Sequence, residues 1–246
     1  MSGHEVTYAR VRAVLWELAS APRSGNGQAL PDVVSALLDF GSETPDNLAM
    51  ATELNVATAD GVGLGLRRSG VRLSRLIAAA VGSDVPEELA EEYAEIGRTE
   101  WTAALRIALA VLEALEPSDD PARQGLRTAL WQIGDRPELS NDQLRDAVSA
   151  SIVACHPSNP EFVEAAGRLD VRANEDFGSR SIGLCLTDSG ALLSDLFWMA
   201  SESPLPDTVA AEFPGLEQSE WEAAMLAVKL ELIALETESE PLDQGA

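Results

Sequence analysis

Lysine occurs once in the 246 residues, at Lys229, and histidine twice, at His4 and His156. Against 41 acidic residues the 17 basic ones leave a net charge of −24, a field that opposes nucleic acid. So little imidazole leaves few ways to build a general base. His156 stands in Cys155-His156-Pro157, a helix-end pattern in which neighbouring side chains point apart, which argues against a Cys-His nucleophile pair. Ser2-Gly3-His4 would chelate a metal only through a freed terminal amine. The two cysteines, Cys155 and Cys185, have no metal-ligand spacing.

Long apolar runs are also missing. No stretch reaches the roughly 20 residues of a membrane span, and residues Met1 to Arg10 lack the layout of a signal peptide. A cytoplasmic protein is expected. Aromatic residues make up 5% of a chain that is 46% hydrophobic, so its cores must be built largely from Ala, Leu and Val. Gly61, Gly63 and Gly65 are not followed by the Lys-Ser/Thr of a phosphate loop and do not match the GxGxxG spacing. Glu88, Glu91, Glu92 and Glu95 lack the Glu-x-x-His pairing of di-metal bundles and read as a solvated face. No catalytic residue, cofactor or metal is assigned from the sequence.

What the chain does contain is a self-similarity. Residues Val62 to Glu116 align without a gap on Ile182 to Glu236, with 21 identities in 55 pairs. Among them are Gly63/Gly183, Leu73/Leu193, Pro86/Pro206 and Trp101/Trp221. A weaker match at an offset of 115 joins Leu15-Trp16 to Leu130-Trp131, Pro45 to Pro160 and Leu54 to Leu169. The offset slips by five residues before Gly63, which places an insertion in the polar stretch Arg172 to Arg180, expected as a longer loop. A period near 120 is domain-sized, too long for a solenoid repeat. The expectation is an all-α tandem duplication of a helical domain of about 115 to 120 residues in a pseudo-twofold arrangement. Residues 1–118 form the first unit and 119–246 the second. The seam is a linker around Glu116-Pro117-Ser118-Asp119-Asp120-Pro121, and an acidic tail from Thr237 frays.

The closing helices carry the clearest period. Trp101, Ala104, Leu105, Ala108, Leu112 and Leu115 form one apolar stripe, matched by Trp221, Ala224, Met225, Val228, Leu232 and Leu235. Thr99 and Ser219 stand as N-caps. Ahead of these, helices are expected near Tyr8–Ala19, Leu30–Phe40, Asp46–Leu54, Leu66–Val81 and Pro86–Tyr93. Their counterparts are Leu126–Ile133, Asn141–Cys155, Pro160–Leu169, Leu186–Ala200 and Pro206–Phe213. The alternation at Val62–Leu66 and Ile182–Leu186 leaves a short strand as the alternative. Ser69-Gly70 and Ser189-Gly190, kept in both segments, suggest a close helix contact, and Cys185, in place of Gly65, a small buried filler.

The segments diverge most at charged positions. Arg68, Arg72 and Arg75, with Arg67 beside them, stand where the second segment has Asp188, Leu192, Asp195 and Thr187. Fused copies of an ancestral dimer would bring equivalent faces together. The expectation is that the arginine stripe meets Asp188 and Asp195 across the seam; a solvated face and an anion site are the alternatives. By halves the charge is −8 up to Ser118 and −16 beyond, so the second half is the docking face expected for a basic protein partner. The functional expectation is a non-catalytic acidic binding module that engages and neutralises a basic protein, in the manner of an immunity protein or inhibitor. It binds neither nucleic acid nor membrane, and further self-association is left open. The alternative is a small-molecule binder or enzyme whose pocket lies between the repeats, lined by the arginine stripe.

Overall fold

A computed structural model of the chain describes residues 13, 16, 45–57, 63–135, 139–174, 179–235 and 240–241. The helices expected at Tyr8–Ala19 and Leu30–Phe40 lie outside these, apart from Ala13 and Trp16, both helical. Helix dominates. The first half runs α1 (Pro45–Glu53), β1 (Leu54–Ala57), β2 (Gly63–Leu66), α2 (Leu73–Ala80), α3 (Glu87–Glu92) and α4 (Arg98–Leu115). Two helices follow, α5 (Pro121–Asp135) and α6 (Asn141–Cys155). Then the earlier order returns as α7 (Pro160–Gly167), β3 (Leu169–Asn174), β4 (Ser179–Leu186), α8 (Leu193–Ser201), α9 (Asp207–Glu212) and α10 (Gln218–Leu235), before a two-residue β5 (Glu240–Pro241).

The short alternating segments are strands and not helix starts, which corrects the expectation of helices from Leu66 and Leu186. Their flanking pairs decide this. Leu54 pairs with Leu66 and Leu169 with Leu186 in antiparallel hairpins. A lone four-residue run has no ladder; its partner, contributed by the end of the preceding helical pattern, supplies one. The first hairpin closes over twelve positions and the second over seventeen, so the five-residue slip in the sequence offset falls inside the hairpin. Arg172, Ala173, Asn174, Ser179 and Arg180, expected in a loop, lengthen its strands. Glu240 and Pro241 pair with Arg180 and Ser179, where a fraying tail was expected.

Each hairpin leads into its helix through a Ser-Gly turn. Gly70 and Gly190 both sit at φ 71°, where a side chain costs energy. Their N–H groups donate to Leu66 O at 3.0 Å and Leu186 O at 2.9 Å. The close helix contact expected of these pairs is therefore a tight turn. The caps also differ from expectation. The residue before α4 is Gly97, with no side-chain hydrogen bond, and Thr99 and Ser219 are each the second residue of their helices.

The two halves interlock. α1 packs on α10 of the other half, α7 on α4, α9 on α2 and α3 on α8. Trp16 meets Trp131 with ring centroids 4.4 Å apart, and Trp101 meets Phe197 at 5.9 Å. One hydrophobic cluster runs through both, from Met50 and Leu76 to Phe197 and Leu235. The connection between halves is part of that interior: Glu116, Pro117 and Ser118 are buried, where a loose linker was expected. Arg127 holds it, donating through Nε to Ala114 O at 2.9 Å and through Nη2 to Glu116 O at 3.2 Å. A guanidinium there satisfies carbonyls that the end of α4 leaves unpaired.

No heavy atom lies within 4 Å of a Cβ built on Gly70, so replacing it tests backbone conformation alone. Gly70→Ala is expected to lower stability by about 1–2 kcal/mol, the cost of a left-handed L-residue, as read from urea unfolding followed by tryptophan fluorescence.

Candidate functional site

Two carboxylates seal the seam. Glu100 and Glu220 are each the third residue of their long helix, just before Trp101 and Trp221, and are 6% and 0% exposed. Glu220 Oε1 accepts the Ser69 N–H at 2.9 Å, and Glu100 Oε1 accepts the Ser189 N–H at 3.2 Å. Each long helix thus grips the Ser-Gly turn of the opposite half. Glu220 Oε2 also accepts the Glu217 N–H at 3.4 Å, so one side chain caps its own helix and ties down the neighbour's turn. A carboxylate in the first turn is favoured by the helix dipole as well.

The arginine stripe is not a helix face. Arg67 and Arg68 lie in the turn after β2, Arg72 caps α2, and only Arg75 is inside that helix. Arg68 is paired with Glu217 of the other half, and the Arg75 guanidinium stands 5.9 Å from the centre of the Phe213 ring, also across the seam. Arg67 donates to Leu54 O at 3.4 Å. Arg72 turns inward to Glu116 Oε2 at 3.0 Å, within its own half. Asp188 pairs with Arg168 at 3.0 Å, also within its half, and Asp195 is a half-buried residue in the first turn of α8. Arg68 and Arg75 reach across the seam, to a glutamate and an aromatic ring that reading matched positions against each other did not single out.

Arg72 leads to a buried polar cluster. Glu116 accepts hydrogen bonds from Arg72 and from the Ser74 hydroxyl. It lies against Gly63: a Cβ there would come within 2.9 Å of Glu116 Oε1, which explains a glycine at the start of β2. Glu231 shares with Glu116, Leu64 and Leu73 the wall of a void of about 10 Å³. That is room for about one water and for no substrate. Burial, reinforced by Glu116, pushes the Glu231 carboxyl up to about 8. Burial also raises Glu116 and Glu113, each against the pull of nearby arginines. Position 111, which aligns with Glu231, is Val. The two positions thus differ by one interior acid.

His156 and Cys155 close α6. The His156 ring stacks on Phe162 at 3.7 Å and its Nε2 is 3.4 Å from Glu113 Oε2; burial lowers its pKa. Cys185 is fully buried and its thiol is pushed up to about 12 by burial, so it stays protonated and serves as packing.

The second half carries an exposed feature. Trp198, on α8, is 48% exposed, where the aligned residue is Ala78. Lys229 Nζ stands 5.1 Å from the centre of its ring, within cation–π range. Beside it opens a groove of about 370 Å³ lined by Glu53, Glu202, Glu222, Met50 and Leu226 together with Trp198. The sequence signal available was the Ala-to-Trp change on an otherwise matched helix.

Two outcomes follow from the buried acids. Because the folded-state pKa of Glu231 lies above its unfolded value, its contribution is fully present below about pH 4.5 and is lost as pH rises through about 8. Glu231→Gln should therefore leave the melting temperature at pH 5 nearly unchanged and remove part of its fall between pH 5 and pH 8, in calorimetry across that range. Glu220→Ala strips the acceptor from two backbone N–H groups and should cost about 1–3 kcal/mol in denaturant unfolding, partly restored by Glu220→Gln, whose one carbonyl oxygen can take one of the two. Compared with known proteins, the chain matches no family model, no curated protein and no solved structure.

Proposed function

We propose that the protein is a non-catalytic acidic binding module, two fused and related helical units, that captures a basic protein partner through the Trp198 groove, where α1 of the first half meets α8 and α10 of the second. The observation that carries the reading is this groove: an exposed indole beside three carboxylates, with a cation already over its ring. A partner's lysine or arginine would find an aromatic face and negative charge together, the two elements that recognise a desolvated cation. The −24 net charge speeds encounter with such a partner and repels acidic competitors. Neutralisation of that partner, as an inhibitor or immunity protein would do, is the role this fits.

A pocket lined by the arginine stripe has less to draw on. Arg72 is committed to a buried carboxylate and Arg68 to Glu217, and the buried acids border a void too small for a substrate.

Binding of a fluorescent lysine-rich decapeptide, measured by anisotropy at low and high salt, separates site from bulk charge. Trp198→Ala is expected to weaken binding about tenfold, a loss of about 1.4 kcal/mol, and Glu202→Gln with Glu222→Gln to do the same. Affinity should fall with salt in the wild type. Equal binding by all variants would leave only non-specific charge attraction and defeat the proposal.

A further inference from the structure

The indole at the groove is already met by a cation of this chain. Lys229 Nζ stands over the Trp198 ring, 5.1 Å from its centre. Neither member of this contact has a counterpart in the first half, where the aligned positions hold Ala78 and Leu109. Ring and ammonium are present together in one half and absent together from the other. Glu222, Leu226 and Lys229 follow one another at i, i+4 and i+7 on α10, along one face of the helix. The first two line the Trp198 groove, so Lys229 continues the same wall by one turn.

The residue type matters as well. Lys229 is the one lysine of the chain; the rest of its 17 basic residues are arginine. An arginine would lay a planar guanidinium on the indole and stay stacked, whereas a lysine offers a compact, strongly hydrated ammonium on a flexible stem. Its hold on a ring that is 48% exposed is weak, since water competes for the charge. A cation that arrives with further basic groups for Glu53, Glu202 and Glu222, all lining the groove, has the stronger claim to the ring face.

We infer that Lys229 is an internal competitor for the partner's cation: it occupies the Trp198 ring in the free protein and is displaced when a lysine or arginine of the partner docks. This rests on the groove being the docking surface and adds what selects the partner. Apparent affinity is reduced to the fraction of molecules whose ring is open. A lone cation is thereby turned away, and a ligand with several basic groups, engaging the groove's carboxylates as well, gains enough to open the site.

A single lysine makes the displacement directly measurable. In the full chain labelled with ¹³C-lysine the one labelled side chain is Lys229, and an unlabelled lysine-rich decapeptide is silent. The Lys229 Cε protons are expected upfield of free lysine, through the ring current of Trp198, and should move saturably to the free-lysine position as peptide is added. By anisotropy, Lys229→Met should bind the peptide about two- to fivefold more tightly, the factor that an exposed cation–π contact supplies. Lys229→Arg, at unchanged net charge, should bind it more weakly than the wild type, which bulk charge does not explain. Protons already at the free-lysine position without peptide, protons still upfield at saturation, or Lys229→Arg binding as well as the wild type would overturn the proposal. Peptide binding that Trp198→Ala weakens while the Lys229 signal stays in place keeps the groove and removes the competitor. Binding that Trp198→Ala leaves unchanged removes the groove and the competitor with it. Should a variant not fold, the titration of the wild-type signal decides alone.

Discussion

Two buried carboxylates, Glu100 and Glu220, set the relation between the halves on which the rest of this molecule depends. Each accepts a backbone N–H from the Ser-Gly turn of the opposite half. The exchange is reciprocal, so the hairpins and the long helices cannot shift independently. A buried carboxylate must find donors, and here one donor comes from another segment some ninety or one hundred and fifty positions away. Around these contacts the short helices cross over and one aliphatic core forms. With few aromatic rings, that core relies on alanine-rich helices approaching closely, as Ala103, Ala104, Ala108 and Ala114 do along α4. Small side chains give area only where backbones come near.

Interior and exterior differ between the halves in separate ways. Inside, the second half places Glu231 where the first has Val111, and that acid is kept neutral by burial and by its neighbour Glu116. Outside, it places Trp198 where the first has Ala78. The interior change is confined to a void of one-water size and adjusts stability with pH. The exterior change lies on a groove with open access and carboxylate walls. This contrast is why the partner-binding role is drawn from Trp198 and not from the more strongly perturbed buried acids.

Much of the architecture was legible in the periodicity. The stripe through Trp101 and Trp221 is buried as expected, and Asn141–Cys155 was bounded correctly because Ser140 and Gln143 form a capping box at its start and Pro157 follows its end. At the hairpins the strand kept as the alternative to a helix start is what forms; the helix reading prevailed because a four-residue apolar run has no period of its own and its partner strand overlaps the end of a helical pattern. The arginine stripe failed for the same reason. A spacing of i, i+4 and i+7 defines a face only if the residues between are helical, and a glycine at positive φ stops the helix before Leu73.

By itself the sequence determined the helical class, the internal match of Val62–Glu116 with Ile182–Glu236, the aliphatic cores and the strong negative charge, because composition and local period act through nearest neighbours along the chain. Only the tertiary structure decided which acids are buried, that Glu100 and Glu220 hold the opposite turns and that Trp198 stays at the surface. Those outcomes depend on which distant group reaches a given atom first, and distance along the chain carries no record of that.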